Sequence, residues 1–271
     1  MVSIALVGLA RNCEPLIDQL TIATAAWQQE FDQVRVVIGE NGSSDATREK
    51  ILANGFELVD TSIDGQIIDR YTRMSAMRET VRLHLLQEPP PDLVVVSDLD
   101  GSFARAVDSG QLRTIYQRLC DDPSVFAYSA WSRPYFDLVA YEDDEVSLAY
   151  VWREIRPHPS DPLRLYMRIR KSIYARQKYY ASRGSALCIS AFNGLCVYRG
   201  ADYARASYAM PPGQSLCEHT IFNRQLAQDG RRMMIMRELE VPTVVEHTDR
   251  GLVRFSMQWF RDQRALRLKN R

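Results

Sequence analysis

Through the first hundred residues, short runs of apolar, largely β-branched residues alternate with longer stretches in which apolar positions recur every three or four residues. Runs of the first kind suit strands buried on both faces of a sheet, and the stretches between them suit crossover helices. The pattern predicts strands over 3–7, 34–38, 56–59 and 93–96, and helices over 15–30, 45–54 and 69–86. Asn54-Gly55 and Pro89-Pro90-Pro91 end the last two helices. Strands alternating with helices in this way predict an α/β fold with a central, mainly parallel sheet flanked by helices. The second half is less regular. Residues 185–198 read as one or two strands with a break at Asn193-Gly194, and 232–236 with 241–245 read as further strands around Pro242.

A length of 271 residues is consistent with one large domain. Lys plus Arg and Asp plus Glu both number 34, which argues against a surface built as a whole to hold nucleic acid. Cys13, Cys120, Cys188, Cys196 and Cys217 are odd in number and widely spread, with no CxxC spacing, and read as reduced thiols. The opening residues read as a first strand and not as a signal peptide, and no run approaches the roughly 18 apolar residues of a membrane span. The expectation is a cytoplasmic chain. Two segments depart from the neutral average. Between Arg153 and Arg183, and again from Arg250 to Arg271, basic residues dominate and are interleaved with aromatic ones. The tail places Leu252, Phe255, Trp259 and Leu266 on roughly one helical face. Both segments read as solvated basic faces packed on the domain by an aromatic stripe, with peripheral contact to a membrane surface as the alternative.

Candidate chemistry begins at Val94-Val95-Val96-Ser97-Asp98-Leu99-Asp100-Gly101. Side chains alternate along a strand, so Asp98 and Asp100 project to one side while Leu99 points to the other. Two carboxylates together at the carboxyl end of a buried strand repel unless a cation or hydrogen-bond donors intervene, and hard oxygen ligands suit Mg²⁺ or Mn²⁺. A capped turn is the structural alternative. A second element, Gly39-Glu40-Asn41-Gly42-Ser43-Ser44-Asp45-Ala46-Thr47, runs from a strand end through a polar turn into a helix that Ser44 or Asp45 can cap. It is either a simple βα loop or a surface offering donors and acceptors to a nucleobase.

The order of Val7-Gly8-Leu9-Ala10-Arg11-Asn12, then the segment 40–47, then Ser97-Asp98-Leu99-Asp100, resembles the nucleotide-sugar half of a GT-A-fold glycosyltransferase. Ala191-Phe192-Asn193-Gly194-Leu195-Cys196-Val197-Tyr198-Arg199 and Cys217-Glu218-His219-Thr220-Ile221-Phe222-Asn223 resemble acceptor-side motifs of its capsule-associated mannosyltransferase-like branch. The segment 140–184 has no counterpart in that pattern. The resemblance implies a Rossmann-type GT-A-like sandwich over 1–249. Its nucleotide-sugar-binding half would be 1–101 and its acceptor half 102–249, with a basic insertion around 153–183, before the basic amphipathic tail 250–271. It implies that Gly8, Leu9, Arg11, Glu40, Asn41, Arg70, Arg73, Arg78 and Asp98 face a nucleotide-sugar donor, GDP- or UDP-linked. Asp98, Asp100 and His247 would hold Mn²⁺ or Mg²⁺, with Asp100 also counted catalytic. Glu218 would serve as the catalytic base or orienting carboxylate, and Asn193 and His219 would meet a glycan or lipid-linked acceptor. A nucleotidyltransferase shares the parallel sheet and the metal, but its phosphate loop is normally rich in glycine, unlike Gly8-Leu9-Ala10-Arg11-Asn12. A non-catalytic protein that binds a nucleotide sugar or a membrane surface would never release nucleoside diphosphate.

Overall fold

A computed structural model describes residues 1–62, 69–99, 107–151, 161–243 and 248–269. Among these, eight strands form one sheet: β1 Ser3–Ala10, β2 Gln33–Glu40, β3 Glu57–Asp60, β4 Leu93–Asp98, β5 Val125–Trp131, β6 Ala186–Cys188, β7 Leu195–Arg199 and β8 Arg232–Glu240. Their order is β3-β2-β1-β4-β7-β5-β8-β6. The β3, β2, β1, β4 quartet is parallel throughout, β7 runs antiparallel between β4 and β5, β8 is parallel to β5, and β6 closes the far edge antiparallel to β8. The expected α/β sheet flanked by helices is present, and its first four strands fall where the apolar runs place them.

Period-two alternation divides the core into two layers. Ile4 and Leu6 of β1, Leu93 and Val95 of β4, and Leu195 and Val197 of β7 face one side, where α1 (Glu14–Trp27), α2 (Thr47–Ala53) and α4 (Ser109–Asp121) cover them with Ile17, Leu20, Trp27, Ile51, Leu112 and Ile115. Ala5, Val7, Val94, Val96, Cys196 and Tyr198 face the other. There α3 (Arg70–Leu85), α7 (Gly200–Arg205) and α8 (Glu218–Leu226) contribute Val81, Leu85, Tyr203, Phe222 and Leu226. Asp69 caps α3 by accepting from the Thr72 amide, and Asp108 with Gln111 forms a reciprocal capping box on α4. All five cysteines are free, as expected, and four are buried.

The second half meets the expectation in one place and differs from it in another. Residues 185–198 form two separate strands: β6 lies at the sheet edge and β7 deep in its middle. No second strand follows β8 among the described residues 241–243. Pro242 offers no amide to a ladder, and 244 and 245 lie outside the described residues. The basic segment is helical where it is described. Helix α5 (Pro162–Ile169) passes through a π-helical turn at Arg170–Tyr174 into α6 (Ala175–Arg183), burying Tyr166, Ile169, Ile173 and Tyr180 in a heptad-like stripe. Helix α9 (Leu252–Lys269) packs against α5. No helix among the described residues is long and apolar enough to cross a membrane.

Candidate active site

The carboxyl ends of the parallel strands β1, β2 and β4 open onto one edge of the sheet, where open α/β folds form their ligand crevices. Two loops on this edge brace each other. Asn12, with a left-handed φ of 51°, accepts from the Ser44 amide through Oδ1 at 2.8 Å, while its own amide donates to Ser43 Oγ at 3.0 Å. The Cys13 amide donates to Thr47 Oγ1 at 2.9 Å. Glu40 organises the second loop from within: Oε1 accepts from the Ser43 amide at 2.6 Å and Oε2 pairs with Arg48 at 3.2 Å. Burial opposes its ionisation, yet the bonds from Ser43, Arg48 and Gly42 hold its carboxyl below the ordinary value. Glu40, expected at the donor, thus holds the loop that would face it. The side chain is buried and committed to shaping the loop, whereas Asn41 is partly exposed and Arg11 exposed. Asp45 accepts from the Thr47 amide at 3.1 Å, but the N-cap of α2 is Ala46, which has no side-chain cap, so neither Ser44 nor Asp45 takes the expected cap position.

Across the edge from these loops, three chain segments meet Arg78. The guanidinium donates from Nη2 to Asp98 Oδ1 at 2.7 Å, at the end of β4, and from Nε to Glu218 Oε1 at 2.9 Å, at the start of α8. Its Cζ lies 5.3 Å from the Phe192 ring centroid. Arg78 and Glu218 are both buried, while the Asp98 side chain keeps 37% of its exposure. Burial alone would lower the Arg78 pKa, but Asp98 and Glu218 outweigh it and the net shift is upward. The cation is permanent. Arg70 and Arg73, expected beside it, stand on the outer part of α3, Arg70 exposed and Arg73 half-buried.

Asp137 is the fourth member, and no motif in the sequence points to it. It follows β5 in a loop containing the cis Arg133-Pro134 bond. Burial, reinforced by the charges of Asp98 and Glu218, pushes its carboxyl up to about 7. Asn193 fixes that loop. Its Nδ2 donates to Ser132 Oγ at 2.9 Å, and its Oδ1 accepts from the amides of Phe136 at 3.2 Å and Asp137 at 3.4 Å. With a φ of 54° and no exposed surface, Asn193, expected on the acceptor side, holds the Asp137 backbone in place. His219, also expected on the acceptor side, is buried as well. It is 2% exposed and stacked on Phe192 at 3.6 Å, and burial together with Arg78 drives its pKa well below the ordinary value, so the ring is neutral. Among the described residues neither ring nitrogen has a hydrogen-bond partner, and Nε2 lies 3.5 Å from Glu218 Oε1.

Gly8 closes the back of the site. A Cβ there would lie 2.7 Å from Leu99 Cγ and 2.8 Å from the Ser97 carbonyl oxygen, so close packing of β1 on β4 requires glycine. With Leu9, Arg78, Tyr203 and Tyr208 it lines a cavity of about 10 Å³, the size of one water. Asp100 and His247 lie outside the described residues. Among those that are described, no group of three or more His, Cys, Asp or Glu side chains is arranged to hold a metal ion. Asp98 remains as a partly exposed carboxylate of a kind that suits Mn²⁺ or Mg²⁺.

No protein-family model matches this chain, and neither does any curated protein. Solved structures with a similar course include glucosyl-3-phosphoglycerate synthase from Mycobacterium tuberculosis, at 14% identity over 94% of this chain and 75% of that one, with a TM-score of 0.47. A mannosyltransferase from Pyrobaculum calidifontis in complex with GDP-mannose and Mn²⁺ shows 15% identity over 92% of this chain and 58% of its own, with a TM-score of 0.49. Mannosyl-3-phosphoglycerate synthase from Rubrobacter xylanophilus shows 13% identity over 100% of this chain and 74% of its own, with a TM-score of 0.46. At these identities the likenesses stop short of assigning the chain to a family.

Proposed function

We propose that this chain is a metal-dependent glycosyltransferase that moves a sugar from a GDP- or UDP-linked donor to a hydroxyl of a glycan, polysaccharide or lipid-linked acceptor. The observation that carries the reading is buried Arg78 joining Asp98 to Glu218 where parallel β4 meets antiparallel β7, with Asp137 near enough to feel both carboxylates. The order of sequence motifs that resembles a GT-A-fold enzyme supports it. Arg11, Asn41, Arg70 and Arg73 are the side chains with enough exposure to meet the nucleotide and its diphosphate. Asp98, with Asp100 and His247, would hold Mn²⁺ or Mg²⁺, which when bound offsets the charge of the leaving diphosphate.

The protein's own groups divide the remaining work. Arg78 holds Asp98 at the strand end, and Glu218 holds Arg78 from behind. This makes Glu218 a positioning residue in the first instance. Asp137, titrating near neutral pH, is the carboxylate suited to exchange a proton with an acceptor hydroxyl or to hold one against it. Incubating the purified protein with UDP-, GDP- and CMP-sugars, with and without Mn²⁺, and measuring free nucleotide tests the reading. One donor consumed only with metal, and spared by Asp98→Asn, is the expected result. Silence across the panel, with no metal-dependent nucleotide binding by calorimetry, would overturn it.

A further inference from the structure

Helices α5 and α9 pack on each other through Tyr166 and Phe255, whose ring centroids lie 5.5 Å apart, and Tyr166 Oη donates to Asp249 Oδ1 at 2.9 Å. The inner side of α9 carries Phe255 and Trp259, both half-buried. The sequence alone suggests that the opposite side is polar. Instead Val253, Met257 and Phe260, spaced i, i+4 and i+7, stand 73%, 54% and 59% exposed on the face turned away from Phe255. On α5, Leu163 and Met167 are likewise more than half exposed. Large apolar side chains at helical spacing on the outside of two contiguous helices mark a surface that meets something apolar.

The charge around them says what. Residues 161–183 and 250–271 each hold seven Lys or Arg against a single Asp, in a chain whose total charge is zero. Arg168, Arg170, Lys171, Lys178, Arg254 and Arg261 make no ion pair among the described residues. Arg164 pairs only with Asp161, at 3.6 Å, and remains exposed. A second copy meeting this face symmetrically would bring the same positive charge to the contact. A surface that combines exposed apolar stripes with unpaired arginines matches a bilayer of anionic lipid. The apolar side chains enter the boundary between headgroups and acyl chains, and the arginines meet lipid phosphates. We propose that α5 and α9 form a docking face that holds the protein on an anionic membrane surface. This inference is independent of the reaction proposed above.

Co-sedimentation of the full chain with vesicles of phosphatidylcholine, alone or mixed with phosphatidylglycerol, tests the docking face. Binding is expected only to the mixed vesicles and should weaken as salt rises. Met257→Ser with Phe260→Ser should reduce partitioning at least tenfold, since each side chain gives up apolar burial. Arg254→Ser and Arg261→Ser should each reduce it about fivefold. Unchanged urea midpoints for these variants would show that the fold is intact. Three results would overturn the proposal: no binding to the mixed vesicles, binding indifferent to the apolar double substitution, or a dimer in light scattering that Phe260→Ser dissolves.

Discussion

Arg78→Met keeps the bulk and much of the apolar stem of the side chain while deleting the charge on which two carboxylates rest. Glu218 would then lie buried, at 6% side-chain exposure, without the 2.9 Å bond from Nε. Removing one member of such a buried pair costs about 3–5 kcal/mol, because the survivor is left uncompensated. Loss of the 2.7 Å contact to Asp98 adds little, since that carboxylate is partly exposed and screened. Against a total stability on the order of 5–15 kcal/mol for a typical domain, the single substitution removes a large part of the margin. Pairing it with Glu218→Gln removes the orphaned charge, so the double variant should recover at least about 2 kcal/mol relative to the sum of the two singles. Urea unfolding at pH 7 with EDTA present, analysed as a double-mutant cycle, reads both quantities. A cost below about 1 kcal/mol for Arg78→Met, or strict additivity in the cycle, would refute the account of Arg78 as the buried centre of the site.

Further expectations follow from neighbouring features. The Asp137 carboxyl is raised to about 7 in the folded chain, so folding favours its protonated form. Its stabilising contribution is full below about pH 4 and is lost as pH rises through 7. Asp137→Asn should flatten that decline and gain about 2–4 kcal/mol over the wild type at pH 8, seen in unfolding curves across this range. Asn193→Ala deletes the bonds to Ser132, Phe136 and Asp137 and places alanine at a left-handed φ, for a loss of about 2–4 kcal/mol. Asn193→Gly should lose less, because the backbone is then unstrained. Gly200→Ala would set a Cβ 1.5 Å from the Pro91 carbonyl oxygen, so it should destabilise by about 3 kcal/mol or more, or prevent soluble expression altogether.

The parallel half of the fold is legible in the sequence because its strands are short, mostly apolar runs separated by helical patterns, and local pattern is enough. Strand β5 is not legible in that way. Val125-Phe126-Ala127-Tyr128-Ser129-Ala130-Trp131 contains one β-branched residue and a serine, and its extended form comes from lying between β7 and β8. At the site, the end of β4 and the start of α8 announce Asp98 and Glu218 through motif order. Arg78 is visible as one of the four arginines on α3, but helical spacing tells direction and not depth. Asp137 has no signal at all. Its raised pKa arises from burial, with Asp98 and Glu218, far away in the chain, adding to it, and its backbone amide is held by Asn193 Oδ1. The burial of Asn193, His219 and Glu40 is likewise a product of tertiary packing that motif order does not carry.

The place of β7 in the sheet also bears on how the chain is made. Leu93 of β4 pairs with Arg199 of β7, a partner that leaves the ribosome about 100 residues later. At synthesis rates of about 5–20 residues per second, the inner edge of Val94-Val95-Val96 therefore waits on the order of 5–20 s for its neighbour. During that interval the nascent N-terminal half carries an unpaired apolar strand edge, the kind of template that recruits other chains. Truncation before β7 should leave a fragment that aggregates, and slow translation across the α5–α6 segment would prolong the period in which the growing protein depends on chaperones.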